Sequence, residues 1–404
     1  MPHYVIIGAS HAGISFAEKM RQLGSDDPIM LIDRLSGIPL QRPPLSKAYL
    51  AADDEEAFLL RRKEWFDEQN ITLRDGVEVT SIDRDAKSLQ LADGTSQSYD
   101  KLILAQGAFA RHLPYEEMSA NGVHVLRHSQ DARQLKQALS SARKAVVIGG
   151  GYIGLEAAAS LVKQNLSVSV IEAADRVLAR VASPEISTYY EALHQSQNVA
   201  IHTGVGVSSL RAENGHIAAV CLADGTEIDC DLLLVGIGVV PETQLAKEAG
   251  LDVENGILTN HHYQTNDSSI FAIGDNVLAQ GRWPIRVESI HNAQFGGHYL
   301  ASQFTEGKPP LDEAPWFWSD QYDRKLQSAG LVPAPSGDVM QIQRAGKREG
   351  GVSVWSFVGD KLAAVEAVND PQAYMIGKFC LEQDRLVPKD KLIDPDFDLK
   401  SLRS

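Results

Sequence analysis

The pattern of apolar and polar positions along the chain runs through one order of elements twice. Tyr4–Ile7 is a short apolar run, followed by Gly8-Ala9-Ser10-His11-Ala12-Gly13, a helical stretch to about Leu23, and a second apolar run over 29–32 that closes on Asp33. Ala145–Glu172 has the same order with more regularity: an apolar run, glycines at 149, 151 and 154, a helical pattern, and an apolar run ending on Glu172. Both predict strand, tight turn, helix and strand. Short alternating runs follow each of them, near 71–73, 77–82 and 88–91 in the first case and 206–210 and 216–222 in the second, and these predict antiparallel strands. An Asp-Gly-Thr turn sits in each series, at 93–95 and 224–226. Each series ends in a buried strand that runs into a glycine, over 99–107 and 231–238. The repeat therefore spans about 4–107 and 145–238.

The remaining stretches are less regular. A charged helical segment is predicted around 54–69 and a polar one over 184–197. In PLQRPPLSKAYL, residues 39–50, the two adjacent prolines predict an extended backbone able to hold Arg42 and Lys47 in place. Ile270–Asp275 reads as a strand ending in Gly274 and Asp275, and 291–300 as a helix. Gly307–Pro315 is a proline-rich linker, beyond which aromatic-rich alternating runs over 316–330, 339–344 and 352–369 and a helix over 372–382 predict a separate α+β domain.

The chemistry of the two repeats is that of dinucleotide binding. Glycines let the backbone approach a pyrophosphate, and the helix N-terminus offers it free amide donors and a partial positive charge. Asp33 lies 25 residues beyond Gly8 and Glu172 23 residues beyond Gly149, where an acid bonds a ribose hydroxyl. Two such folds in one chain mean two dinucleotides, one held and one exchanged, and the natural pair is a flavin with a nicotinamide. Glu172 favours NADH, because a carboxylate repels the 2′-phosphate of NADPH; Arg176 and Arg180 are the residues that could weaken this preference. Ser10 stands where the pattern asks for its middle glycine.

Composition narrows the class. A chain of 404 residues predicts two or three domains. With 38 basic and 53 acidic residues the net charge is −15, which argues against a general nucleic-acid or anionic-membrane role. No signal peptide and no spanning segment is evident, so a cytoplasmic location is expected. The three cysteines, Cys221, Cys230 and Cys380, form no CxxC pair, so neither a disulfide scaffold nor a metal site is expected, and each is read as a small buried apolar residue.

Several blocks carry a family resemblance, in order: RPPLSK at 42–47, GGGYIGLE at 149–156, GIGVVPET at 236–243, FAIGD at 271–275, VESIHNA at 287–293 and FWSDQYDRKLQSAG at 317–330. With them the chain resembles the FAD-dependent pyridine nucleotide reductases, and within these the NADH-dependent ferredoxin reductases that serve bacterial oxygenases. The resemblance implies an α/β fold with two Rossmann-like domains and a C-terminal α+β interface domain. A discontinuous FAD domain would cover 1–112 and 238–312, an inserted NAD domain 113–237, and the interface domain 313–404.

The resemblance also implies site residues. FAD would be held by Gly8, Ser10, His11, Ala12 and Gly13 in the first turn, by Asp33 and Arg34 after the second strand, and by Arg42 at its pyrophosphate. Val79, Ala105, Gln106, Gly107 and Arg111 would extend that site, with Gly274 and Asp275 at the ribityl chain, Ser289 and Ile290 beyond them, and Trp318 on the acceptor side. NAD would meet Gly149, Gly151, Tyr152, Ile153 and Gly154, Glu172 and Arg180, then Gly236, Ile237 and Gly238, and Glu288. Lys47 and Glu156 would pair beside the flavin ring, the cation stabilising the reduced flavin made by hydride transfer. Leu40 and Gln106 depart from the family pattern, as does Ser10.

The implied partner is a small acidic iron–sulfur ferredoxin, docked by a basic cluster at Arg324, Lys325, Arg344, Lys347 and Arg348 on a monomer or weak homodimer. An NADH oxidase, a reductase of a quinone-like acceptor, and a flavoprotein related to apoptosis-inducing factor stay open as alternatives. A disulfide reductase is excluded, since no cysteine pair lies near 34–50 or at the C-terminus.

Overall fold

The protein is described by a computed structural model that covers every residue except 282, 284, 306, 312, 335 and 404. The domain limits expected at 312 and 404 thus lie outside the described residues. The chain divides into two compact units, Met1–Arg42 with Asp54–Phe109 and Val239–Asp312, and Pro43–Asp53 with Ala110–Gly238 and Glu313–Ser404.

The first unit is organised on a five-stranded parallel sheet in the order Ile270–Ala272, Lys101–Leu104, Tyr4–Ile7, Ile29–Asp33, Ile71–Asp75. Tyr4–Ile7 is buried throughout, as a strand covered on both faces must be. Its neighbours are the second strand on one side and Lys101–Leu104 on the other, so the strand order reverses there and a crevice opens at its carboxyl end. The helix His11–Gln22 starts at that crevice and packs on Ile290–Thr305. A Cβ on Gly297 would lie 2.7 Å from both Ala12 O and Phe16 N, so only glycine allows this approach. A small antiparallel sheet, Val79–Asp83, Ser88–Leu91 and Ser96–Ser98, completes the repeat.

The second unit contains the same arrangement. Its parallel sheet runs Ala200–Thr203, Ser167–Glu172, Lys144–Ile148, Leu232–Val235, Val123–Val125, and its small sheet Val207–Glu213, His216–Leu222, Glu227–Asp229. Both Asp-Gly-Thr turns close the same way, with Asp93 and Asp224 each accepting a 2.9 Å bond from the amide two residues on. The last part of this unit is a five-stranded antiparallel sheet in the order Trp316–Gln321, Arg324–Gly330, Lys361–Val368, Val352–Val358, Val339–Ala345. The helix Pro371–Glu382 covers it, closely enough that a Cβ on Gly377 would lie 2.5 Å from Val365. The fold is therefore α/β with two Rossmann-like folds and an α+β C-terminal part.

Three local expectations are corrected. Residues 39–50 are not extended: Pro43–Ser46 and Ala48–Ala51 are 3-10 turns, because the fixed φ of proline suits the first turn of a helix as well as an extended chain. The helical stretch at 54–69 breaks into Glu56–Phe58 and Lys63–Glu68. Cys221 is half-buried, on the outward side of its strand, whereas Cys230 and Cys380 are buried; all three are free. Among the described residues no helix is long and apolar enough to cross a membrane.

Candidate active site

The two strand-to-helix turns match atom for atom. Gly8 and Gly149 have φ of +112° and +107°, in the left-handed region, and each donates its N–H across the sheet at 2.8 Å, to Ile32 O and Ile171 O. A Cβ on either glycine would fall 2.3 Å from a carbonyl, that of Ala105 or of Gly236. A Cβ on Gly13 or Gly154 would fall 2.1 or 1.9 Å from the carbonyl of the first glycine. The acids match too. Asp33 accepts from Ala9 N at 2.8 Å and Leu35 N at 2.9 Å, and Glu172 from Gly150 N at 2.7 Å and Ala174 N at 2.9 Å. Each carboxylate thereby steadies its turn and keeps lone pairs to spare for a further donor. Neither helix has a side-chain cap, which leaves its first amides open for a pyrophosphate.

The departure at Ser10 is explained by backbone geometry. Ser10 sits at φ −99° and ψ −158°, ordinary extended backbone, and its counterpart Gly151 has φ −78° with nothing within 4 Å of a built Cβ. The backbone conformation at this position does not itself require glycine. Ser10 uses its side chain instead: Oγ accepts from Arg42 Nε at 3.1 Å and lies 3.3 Å from His11 Nδ1.

Around the first turn lie Ala12, Ala105, Gln106 and Gly107, and Gly274, whose built Cβ would reach Ala12 at 3.2 Å. Gln106 Oε1 is buried with no hydrogen-bond partner among the described residues, an acceptor suited to a polar cofactor. These features fit FAD. Asp275, Val79, Ser289 and Ile290 belong to the same unit, as does Arg34, which pairs with Glu242 at 3.1 Å, and Glu288, which pairs with Arg286 at 2.6 Å.

In the second unit, Gly236, Ile237 and Gly238 stand where Ala105, Gln106 and Gly107 stand in the first. Arg180 lies beside them, 3.4 Å from a built Cβ of Gly238. Arg176 turns inward, donating to Ala179 O and Ala182 O at 3.0 Å and to Ser187 Oγ, so it is not available to a 2′-phosphate. Leu178 in the same loop holds a left-handed φ of +56°, strain of the kind found at binding loops. Tyr152 stacks on Phe317 with ring centroids 4.4 Å apart, while Ile153 is exposed. Arg111 donates its backbone N–H to Gly238 O at 3.0 Å, and the Trp318 ring lies 5.5 Å from that of Trp316 and 6.3 Å from that of Phe317.

Lys47 and Glu156 do meet. Lys47 Nζ is 2.9 Å from Glu156 Oε1, with the lysine side chain 18% and the glutamate 3% exposed. Sequence reasoning missed the rest of this cluster. Ser46 Oγ donates to Glu156 Oε2 at 2.7 Å, Ser319 Oγ to Oε1 at 2.7 Å, and Ser160 Oγ to Ser46 O at 2.7 Å. Ser319 in turn accepts from Gln321 Nε2 at 3.1 Å, and Gln321 Oε1 lies 2.8 Å from His194 Nε2. Burial pushes the His194 pKa down, against the opposing bond from Gln321. A second buried carboxylate, Glu366, accepts from Ser183 N at 3.1 and 3.2 Å, and burial pushes it up to about 7.

The basic cluster expected at the C-terminal sheet is smaller than its sequence suggests. Arg344 is buried and donates to the carbonyls of Leu392, Asp394, Pro395 and Phe397, so it is a structural cation. Arg324 pairs with Asp323, which leaves Lys325, Lys347 and Arg348 as the exposed charges.

Comparison with known proteins agrees with this geometry. The pyridine nucleotide-disulphide oxidoreductase family matches residues 2–297, and a reductase C-terminal family matches 316–403. Rhodocoxin reductase from Rhodococcus erythropolis is 40% identical over 98% of this chain and 93% of its own. A ferredoxin reductase from Rhodopseudomonas palustris superposes with a TM-score of 0.95 at 37% identity, each chain fully covered. The reductase of a covalent putidaredoxin reductase–putidaredoxin complex also gives 0.95 at 37% identity, covering 100% of this chain and 98% of that one.

Proposed function

The chain belongs to the pyridine nucleotide-disulphide oxidoreductase family, extended by a reductase C-terminal domain, and on that footing we propose that electrons taken from NADH pass through FAD to a small acidic iron–sulfur ferredoxin serving an oxygenase. The enzyme is an NADH:ferredoxin oxidoreductase with FAD and NADH as cofactors. The flavin, when bound, supplies the exchange between a two-electron donor and a one-electron acceptor. The observation that carries the reading is the pair of matching cradles, with Asp33 and Glu172 each holding its own turn through two amide bonds. Disulfide exchange has no support in the sequence, because no cysteine pair lies near 34–50 or at the C-terminus.

Within this reading the FAD domain is 1–112 with 238–312, the NAD domain 113–237 and the interface domain 313–404. Gly8, Ala12, Gly13 and Asp33 bind the ADP half of FAD, Arg42 its pyrophosphate region, and Asp275 a ribityl hydroxyl. Gly149, Gly154, Glu172 and Arg180 bind NADH. Lys47 stabilises negative charge on the reduced ring, and Glu156 fixes Lys47 in place. Trp318 serves the acceptor side. The cytoplasm, where NADH is supplied, is the expected location.

Steady-state reduction of cytochrome c by NADH, with and without a panel of small ferredoxins, tests the proposal. Turnover should require a ferredoxin. Full activity without one would sink it and favour an oxidase or a small-molecule reductase.

A further inference from the structure

The cluster around Glu156 continues into the protein as a chain of buried polar groups. His194, Gln321 and Ser319 are fully buried and Glu156 is 2% exposed, so each bond in the chain must be satisfied internally. The direction of every bond follows from its chemistry. Ser319 Oγ accepts from Gln321 Nε2, so its single proton goes to Glu156 Oε1. With its amide nitrogen used in that way, Gln321 presents Oε1 to His194, and an amide oxygen only accepts. The ring must therefore carry its proton on Nε2. Nδ1 is then the acceptor for the Tyr322 hydroxyl, 3.2 Å away. Four donors point one way: Tyr322 to His194, His194 to Gln321, Gln321 to Ser319, Ser319 to Glu156. Aligned bonds of this kind polarise one another, and the chain ends on the carboxylate that holds Lys47.

We infer that Ser319, Gln321 and His194 are positioning residues for Glu156, a directed hydrogen-bond chain that fixes its carboxylate and, through it, the Lys47 ammonium. Glu156 Oε1 is shared by Lys47 Nζ at 2.9 Å and Ser319 Oγ at 2.7 Å, with Ser46 on Oε2. Without the Ser319 donor the carboxylate is free to rotate toward Lys47 and to pull the cation out of line. The neutral form of His194, favoured by its burial, keeps the chain in one polarity. The inference rests on the reading that Lys47 and Glu156 serve the hydride step, and it adds three residues that act at a distance from the reacting atoms.

Two measurements test it. In the apoprotein, histidine 15N NMR should find His194 protonated on Nε2 alone, with that resonance moved by Glu156→Gln although the two side chains do not touch. An Nδ1-protonated or doubly protonated ring near neutral pH, or no response to Glu156→Gln, would overturn the chain. In the FAD-loaded enzyme, anaerobic stopped flow should show Ser319→Ala and Gln321→Leu lowering the limiting rate of flavin reduction roughly tenfold, the weight of one bond to a charged group, with half-saturation by NADH held. Gln321→Glu keeps size but removes the donor to Ser319 and competes for its proton, and should lose as much, whereas Ser319→Thr should recover the rate. In a Glu156→Gln background these changes should cost nothing further, because they act through Glu156. Losses that multiply with Glu156→Gln would overturn the positioning role. A wild-type rate for Glu156→Gln with the NMR signature intact would instead remove the catalytic reading of Glu156 and leave the chain standing.

Discussion

At the scale of single residues, charge and burial make two predictions. Lys47 is the cation of the Glu156 cluster, its side chain 18% exposed against 3% for the carboxylate it holds. Lys47→Met should slow flavin reduction by NADH by on the order of tenfold or more in stopped flow, as expected for the loss of a charge that opposes one developing in the reaction. An unchanged rate would remove the role. Glu366 bears on stability instead. Burial raises its pKa from 4.5 to about 7, so the folded state prefers the protonated acid. That contribution is complete below about pH 4.5 and is lost as pH rises through about 7, amounting to about 3 kcal/mol at most. Glu366→Gln stays neutral at all these values. The melting temperature of the wild type should therefore fall relative to Glu366→Gln between about pH 5 and pH 7.5; a constant gap would exclude the effect.

At the scale of elements, the strand-turn-helix unit explains which glycines matter. Gly13 and Gly154 lie under the carbonyls of Gly8 and Gly149, and a methyl group there meets backbone that cannot yield. Gly13→Ala should purify with depleted flavin. Gly154→Ala should keep its flavin spectrum and weaken NADH use by roughly a hundredfold, the cost of displacing a bound reactant by about an ångström. The two repeats were legible in the sequence because glycine spacing and a strand-end acid are requirements internal to about 25 residues of chain. The fate of residues 39–50 was not legible, since proline is compatible with both the extended chain and the 3-10 turns that occur there.

For the whole molecule, a net charge of −15 would oppose the acidic ferredoxin proposed as its acceptor, so on that reading a local basic surface steers association. Replacing Lys325, Lys347 and Arg348 by neutral residues should lower the ferredoxin on-rate at low salt by roughly tenfold and flatten its salt dependence. Unaltered salt dependence would move the docking surface elsewhere. Arg344 is the contrasting case: its loss should lower the melting temperature, because four carbonyls around 392–397 depend on its guanidinium.

The sequence by itself determined the two cradles, the strand-end acids at Asp33 and Glu172 that hold them, and the pairing of a flavin with a nicotinamide, because those constraints are local in the chain. It also presented Arg176 and Arg180 alike as cations that could reach a 2′-phosphate, and Arg344 alike with its basic neighbours as a docking charge. Tertiary structure decided between them, turning Arg176 and Arg344 inward onto carbonyls and leaving Arg180 beside Gly238. The cluster at Glu156 was decided at the same level. Ser46 and Ser319 lie 110 and 163 residues from Glu156 in the chain, and a lone serine has no periodicity or spacing to mark it. Only when the sheet strand Trp316–Gln321 is laid against the helix Tyr152–Lys163 do those hydroxyls become the partners that a buried carboxylate requires.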